Sequence, residues 1–271
     1  MKKIVKAVEK RKQEFGRGIG GAGFSIPGGR AGNKEFKAKK VELQSSSLRK
    51  NCVLHGGEME SATMAYNMLR TQIYKQIVKN GWSTLAVTSS NKSEGKSLTA
   101  INLAFSLSRS VQQTVVLIDM DLRRPSMHKK LNIAPKYGMS DYFSGDVPLS
   151  SIMFSPTHSE LVVLPGRASL ENASELLASH KTQNLFAELK RMFPSRIVVL
   201  DLPPVLLVDD VMVMSDHIDC SLLVVSEGKS KKEELVQTVD LLQGGNIIGT
   251  VLNNSRSNVS GGGYDYYYGK D

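Results

Sequence analysis

The sequence predicts an α/β fold built on a doubly wound, mostly parallel sheet, and two observations carry that expectation. Short apolar runs, "STLAVTS", "TVVLIDMD", "LVVLPG", "IVVLDLPP", "CSLLVVSE" and "IIGTVLN", alternate with helical stretches. Each run is apolar at successive positions, so both faces of the strand need cover, as in a parallel sheet enclosed by helices. Ligands of such sheets bind beyond the carboxyl ends of the strands, which is where candidate chemistry is sought.

The first regular element precedes these strands. "ESATMAYNMLRTQIYKQIVKN" places Met64, Met68 or Leu69, Ile73 and Ile77 at helical spacing and stops at Gly81. Upstream the composition changes. Residues 1–50 hold 14 Lys/Arg against 4 Asp/Glu, so the net charge of +9 resides in the arm and the remainder is close to neutral. Within residues 1–57, Ile4, Val5, Val8 and Phe15 fall on one face of an amphipathic helix, followed by the Gly-rich linker "GRGIGGAGFSIPGGRAGNK". Such an arm is either a solvated tail or a docking element for an anionic membrane surface or a partner. The glycines of residues 18–23 have no strand before them and no helix after, which argues against a dinucleotide site.

No apolar run approaches the ~18 residues that span a bilayer, and the basic N-terminus lacks the apolar segment of a signal peptide; a cytoplasmic location is expected. Cys52 and Cys220 show no metal-ligand spacing and are expected to be reduced.

The first strand runs directly into "SSNKSEGKS" and a helix. A strand, a tight turn and "GKS" opening a helix form a P-loop, in which backbone N–H groups and the helix N-terminus hold phosphate, Lys96 reaches the β- and γ-phosphates, and Ser97 binds Mg²⁺. The strict GxxxxGK[ST] pattern asks for glycine at 90, where Ser90 stands. Two further strands end in acid: "VVLIDMDLRRPS" delivers Asp119 and Asp121, and "IVVLDLPP" delivers Asp201. One such aspartate alone is as well explained by capping a turn. Three converging on a P-loop are better explained by Mg²⁺-nucleotide, since a carboxylate at the tip of a buried strand needs compensation.

Together these motifs resemble the bacterial tyrosine kinases of capsule and exopolysaccharide synthesis. That family's P-loop SxxPGEGKS/T corresponds to Ser89 through Ser97. Its apolar-DxDxR motif corresponds to Leu117 through Arg123, and its DxPP motif to Asp201 through Pro204. The stretches "GMSDYFSG", "LVVLPGRASLENASELLAS" and "GTVLNN" also fit, and the likeness covers roughly residues 60 to 254. The N-terminal "KKIVKAVEK" is similar to the opening helix of the subgroup tied to exosortase-type loci. The resemblance implies domains at 1–57 (arm), 58–257 (kinase) and 258–271 (tail).

It also implies ATP and Mg²⁺ as cofactors. The phosphates are cradled by the backbone of residues 93–98, that is Ser93, Glu94, Gly95, Lys96, Ser97 and Leu98, and Mg²⁺ is held by Ser97, Asp201 and Asp119. Asp119 accepts the tyrosine proton with Asp121 in support. Arg123 braces its motif or binds phosphate, unless it is a surface arginine paired with an acid. Asn253 either contacts adenine or forms a turn. The acceptors are Tyr264, Tyr266, Tyr267 and Tyr268, half of the chain's eight tyrosines, set behind three glycines and phosphorylated in trans. The implied partners are a transmembrane polysaccharide co-polymerase or chain-length determinant protein, a tyrosine phosphatase and further copies of the chain, at the inner face of the membrane and without nucleic acid.

The sequence also departs from the family. Lys92 and Ser93 replace Pro-Gly, putting a Cβ where the loop needs freedom. The ExxRxxR helix reads Met64, Asn67 and Arg70. Two alternatives stay open: a partitioning-type ATPase switch, whose signature lysine would fall at Asn91, one place before Lys92, and a catalytically weak ATP-binding regulator of the same polysaccharide system.

Overall fold

The computed structural model describes residues 38–54, 60–157 and 159–255. Its strands are β1 (Lys39–Val41), β2 (Thr84–Ser89), β3 (Thr114–Asp119), β4 (Phe154–Pro156), β5 (Leu161–Leu164), β6 (Arg196–Asp201), β7 (Cys220–Ser226) and β8 (Ile247–Asn253). They form one eight-stranded sheet in the order β1, β4, β5, β3, β6, β2, β7, β8. Every adjacent pair is parallel except β4 with β5. The expected fold class is therefore the observed one.

The helices are α1 (Ser45–Lys50), α2 (Glu60–Asn80), α3 (Lys96–Ser108), α4 (Met127–Lys130), α5 (Met139–Ser144), α6 (Leu149–Ile152), α7 (Ala173–Leu177), α8 (His180–Met192), α9 (Asp210–Val213) and α10 (Lys232–Leu241). The central strands alternate strictly between two cores. Leu85, Val87, Val115, Leu117 and Val199 face one side with α3, while Ala86, Val116, Ile118, Val198 and Leu200 face the other with Phe143, Leu185 and Leu189. This two-sided burial is why the runs are apolar at every position. Helix α3 is itself apolar nearly all round, and it packs against the sheet on one side and α2 on the other.

That arrangement corrects the expected face of α2. Ile73 and Ile77 are buried, with Tyr66 and Leu69 packed beside them, but Met64 is 52% exposed and Met68 44%. Met64 precedes Ile73 by two and a half turns and so lies about 180° away from it. The buried stripe runs through 66, 69, 73 and 77.

The expected boundary at residue 57 also moves. Residues 38–54 belong to the fold: β1 pairs with β4, and Leu43, Leu48 and Val53 join the α3 core. Asn102 on α3 pins the segment, accepting from Leu54 N–H at 2.9 Å and donating to the Cys52 carbonyl at 3.1 Å. Asn51 donates to the Lys130 carbonyl at 2.9 Å. The strand is too short and too basic ("KKV") to be recognised by composition. Residues 1–37, with the amphipathic helix and linker expected there, lie outside the described residues.

Leu48 is 1% exposed within this segment. Leu48→Ala is expected to lower unfolding free energy by about 3 kcal/mol, measured by urea denaturation; an unchanged midpoint would show that the segment adds nothing to the core.

Candidate active site

Strand β2 ends at Ser89, residues 90–95 turn, and α3 begins at Lys96. Gly95 has φ +98°, and a Cβ there would lie 1.8 Å from Asn253 Nδ2, so no other residue fits without rearrangement. Ser93 has φ +62°, the left-handed region, at the position where the resembling family carries glycine. The loop holds this conformation through a brace on its far side. Glu94, 1% exposed, accepts from Asn91 N–H at 2.9 Å and from the Ser230 hydroxyl. Asn91 Nδ2 donates to Glu234 at 2.9 Å, and Asn253 Nδ2 donates to the Glu94 carbonyl at 2.9 Å. The hydroxyl of Ser90 lies 2.8 Å from that of Thr238 on α10, which accommodates serine in place of the expected glycine.

Below the loop lies an acidic floor. Asp119 and Asp201 are aligned partners at the ends of adjacent strands β3 and β6, both fully buried. Asp119 Oδ2 accepts from the N–H groups of Ser126 and Met127 at 3.1 and 3.0 Å, while its Oδ1 and both oxygens of Asp201 make no hydrogen bond. Lys96 Nζ stands over them, 2.7 Å from Asp121 Oδ2 and 3.6 Å from Asp201 Oδ1. Burial works against the lysine charge, but Asp201 and then Asp121 outweigh it and hold Lys96 above its ordinary value. Burial and then Asp201 push Asp119 above the carboxylate range, and burial pushes Asp201 the same way against the pull of Lys96. These oxygens fit a divalent cation, which would satisfy acceptors that make no hydrogen bond even with Lys96 nearby.

A cleft of about 470 Å³ opens over this floor. Of the sequence-predicted residues, Ser93, Gly95, Lys96, Ser97, Leu98, Asp121 and Arg123 line it. Asp119 and Asp201 sit beneath, and Glu94 points away into the brace. Asn253 is engaged with the loop backbone as a positioning residue. Arg123, expected among the catalytic residues, turns away from Lys96. Its Nε is 3.3 Å from Asp210, and its guanidinium also donates to Ser174 Oγ at 2.8 Å and the Glu171 carbonyl at 3.1 Å, which ties the β3 loop to α7 and α9. Tyr264, Tyr266, Tyr267 and Tyr268 lie outside the described residues. Sequence reasoning did not find Ser230, Glu234, Thr238 or Asp210, polar residues on distant segments that no local spacing links to the loop.

Ser93→Gly should raise stability by about 1 kcal/mol by relieving the left-handed strain, read from a urea midpoint; a loss would mean the hydroxyl does more than the strain costs. Without Mg²⁺, Asp119→Asn should melt higher than the wild type at alkaline pH. A carboxyl whose folded pKa is raised binds its proton more tightly when folded, so wild-type stability falls as pH rises through that window and the gap narrows towards about pH 5. Thermal melts across pH measure it, and a gap independent of pH would contradict the charge argument.

No protein-family profile matches the chain. Tyrosine-protein kinase YwqD of Bacillus subtilis is 27% identical over 230 residues, covering 84% of this chain and 95% of that protein. Tyrosine-protein kinase CpsD of Streptococcus pneumoniae is 29% identical over 198 residues, 72% of this chain and 85% of that one. The solved kinase domain of the Escherichia coli tyrosine kinase ETK matches with a TM-score of 0.69 at 25% identity, over 88% of this chain and 95% of that domain. In sequence and in fold alike, the chain is similar to bacterial tyrosine-protein kinases.

Proposed function

We propose that the protein is an ATP-dependent tyrosine autokinase that phosphorylates its own C-terminal tyrosine cluster between copies and so regulates exopolysaccharide or capsule synthesis and export. The observation that carries this reading is the juxtaposition of Lys96, at the start of a P-loop helix, with buried carboxylates whose oxygens lack partners. The tail "GGGYDYYYGKD" supplies acceptors.

Backbone N–H groups of residues 93–98 and the N-terminus of α3 bind the phosphates. A bound Mg²⁺ would supply positive charge against the phosphates. Ser97 and Asp201 hold it, directly or through water. Lys96 exchanges its Asp121 contact for the γ-phosphoryl oxygens and stabilises the charge that develops there. Asp119, at the end of β3 with Oδ1 free of hydrogen bonds, takes the tyrosine proton. As that proton leaves, Oη bonds to the γ-phosphorus and the bond to the β–γ bridging oxygen breaks, releasing ADP. Asp121, with one oxygen on Arg124 N–H at 3.0 Å, fixes the loop after β3.

Among the described residues no helix is long and apolar enough to cross a membrane. We place the chain at the inner membrane face through a transmembrane co-polymerase, with the basic arm expected within residues 1–57 as a second contact, and a tyrosine phosphatase resets the tail. The strained Ser93 favours one other reading, a weak ATP-binding regulator of the same system.

Ten residues separate Asn253 from Tyr264, a link with a root-mean-square reach of about 17 Å. Mixing Lys96→Met protein carrying its tail with active protein lacking residues 264–271 should place phosphotyrosine on the former, while neither labels alone. If the mixture stays silent and intact protein labels itself at a rate independent of dilution, transfer is within one chain. If intact protein binds ATP and Mg²⁺ but never labels, the regulator reading replaces the kinase.

A further inference from the structure

The cleft carries more positive charge than its carboxylates use. Lys96 is matched by Asp121 and Asp201, and Arg123 by Asp210. Besides Lys92 on the P-loop itself, the side chains of Arg124 and Lys130 line the cleft and, like it, make no hydrogen bond or ion pair among the described residues. Both belong to the segment that follows β3, on the loop and on α4. A second border, formed by the segment after β6, is apolar: Leu207, 46% exposed, and half-buried Val208, with the buried Pro203 and Pro204 at their base. The phosphates of ATP are accounted for by the P-loop and Lys96, so these two borders are left for the acceptor. A cationic border beside an apolar one suits an aromatic residue with an anion next to it in sequence, because consecutive side chains of an extended segment point in opposite directions.

Building on the autokinase reading, we propose that Arg124, Lys130 and the Pro203, Pro204 and Leu207 border select acceptor tyrosines adjacent to an acidic residue, and that the occupant is the Tyr264-Asp265-Tyr266 segment of a second copy of this chain. The aromatic ring lies on the apolar border while the Asp265 carboxylate meets Arg124 and Lys130. Tyr264 and Tyr266 each have Asp265 as a neighbour, whereas Tyr267 and Tyr268 are flanked by tyrosine and glycine only. Tyr264 and Tyr266 are therefore phosphorylated first. Between copies such a tail has length to spare, since 16 residues follow the last described position.

The test supplies full-length protein, ATP and Mg²⁺ with two acceptor peptides, GGGYDYYYGKD and the same peptide with Asp265→Asn. The expected result is a kcat/KM about fivefold lower for the asparagine peptide. Mass spectrometry at low occupancy should find phosphate on Tyr264 and Tyr266 of the first peptide, with no preferred site in the second. The difference should shrink in high salt. An Arg124→Gln/Lys130→Gln double variant should treat the two peptides alike. Equal kcat/KM for the two peptides with the wild-type protein overturns the proposal whatever the variant does, as does first phosphorylation at Tyr267 or Tyr268. Discrimination that survives in the double variant overturns the assignment to these two cations. Absence of phosphotyrosine on either peptide, with ATP bound, removes the kinase reading and this proposal with it. Phosphorylation without discrimination removes this proposal alone.

Discussion

Two carboxylates buried side by side, Asp119 and Asp201, set the terms for the rest of the site. They are register partners on adjacent central strands, and their location follows from the sheet itself, because a strand that is apolar on both faces brings whatever ends it into the interior. Two such charges at one spot repel, and burial removes the water that would screen them. Among the described residues, the cation that answers both them and Asp121 is Lys96. The P-loop lysine is thus the counter-charge of the acidic floor as well as a group suited to phosphate.

For that lysine to stand where it does, the loop before it must hold a conformation that its own residues do not favour. Ser93 occupies a left-handed backbone position, and Gly95 leaves room for Asn253 that any side chain would fill. The compensation comes from behind. Glu94, itself buried, joins the loop to Ser230, Asn91 joins it to Glu234, and Ser90 meets Thr238. Strain at the front of the loop is sustained by hydrogen bonds from the β7 and α10 region at its back. A similar division of labour holds after β3, where Arg123 fastens to Asp210 and Ser174, so that Asp121 and Arg124 are presented from an anchored segment.

The sequence by itself determined the fold class, the six long strands, the phosphate loop and the three aspartates, because each is written in neighbouring residues: an apolar run, a GKS at the start of a helix, an acid at a strand end. It also carried the departures at Ser90 and Ser93, since a residue type at a motif position needs no structure to be noticed. What only the tertiary structure decided depends on residues far apart in the chain. The strands β1 and β4 are three residues each and take their identity from pairing with one another rather than from composition. The outward turn of Met64 and Met68 follows from where α3 lies, which the periodicity of α2 alone does not state. For Arg123 the sequence left open phosphate binding, bracing of its motif or pairing with an acid, and the acid it pairs with, Asp210, lies 87 positions on, while the brace of the P-loop spans 136 positions between Glu94 and Ser230. Local patterns record what each residue can do, whereas partnership across such separations is set by how the sheet brings its loops together, and no spacing in the sequence encodes it.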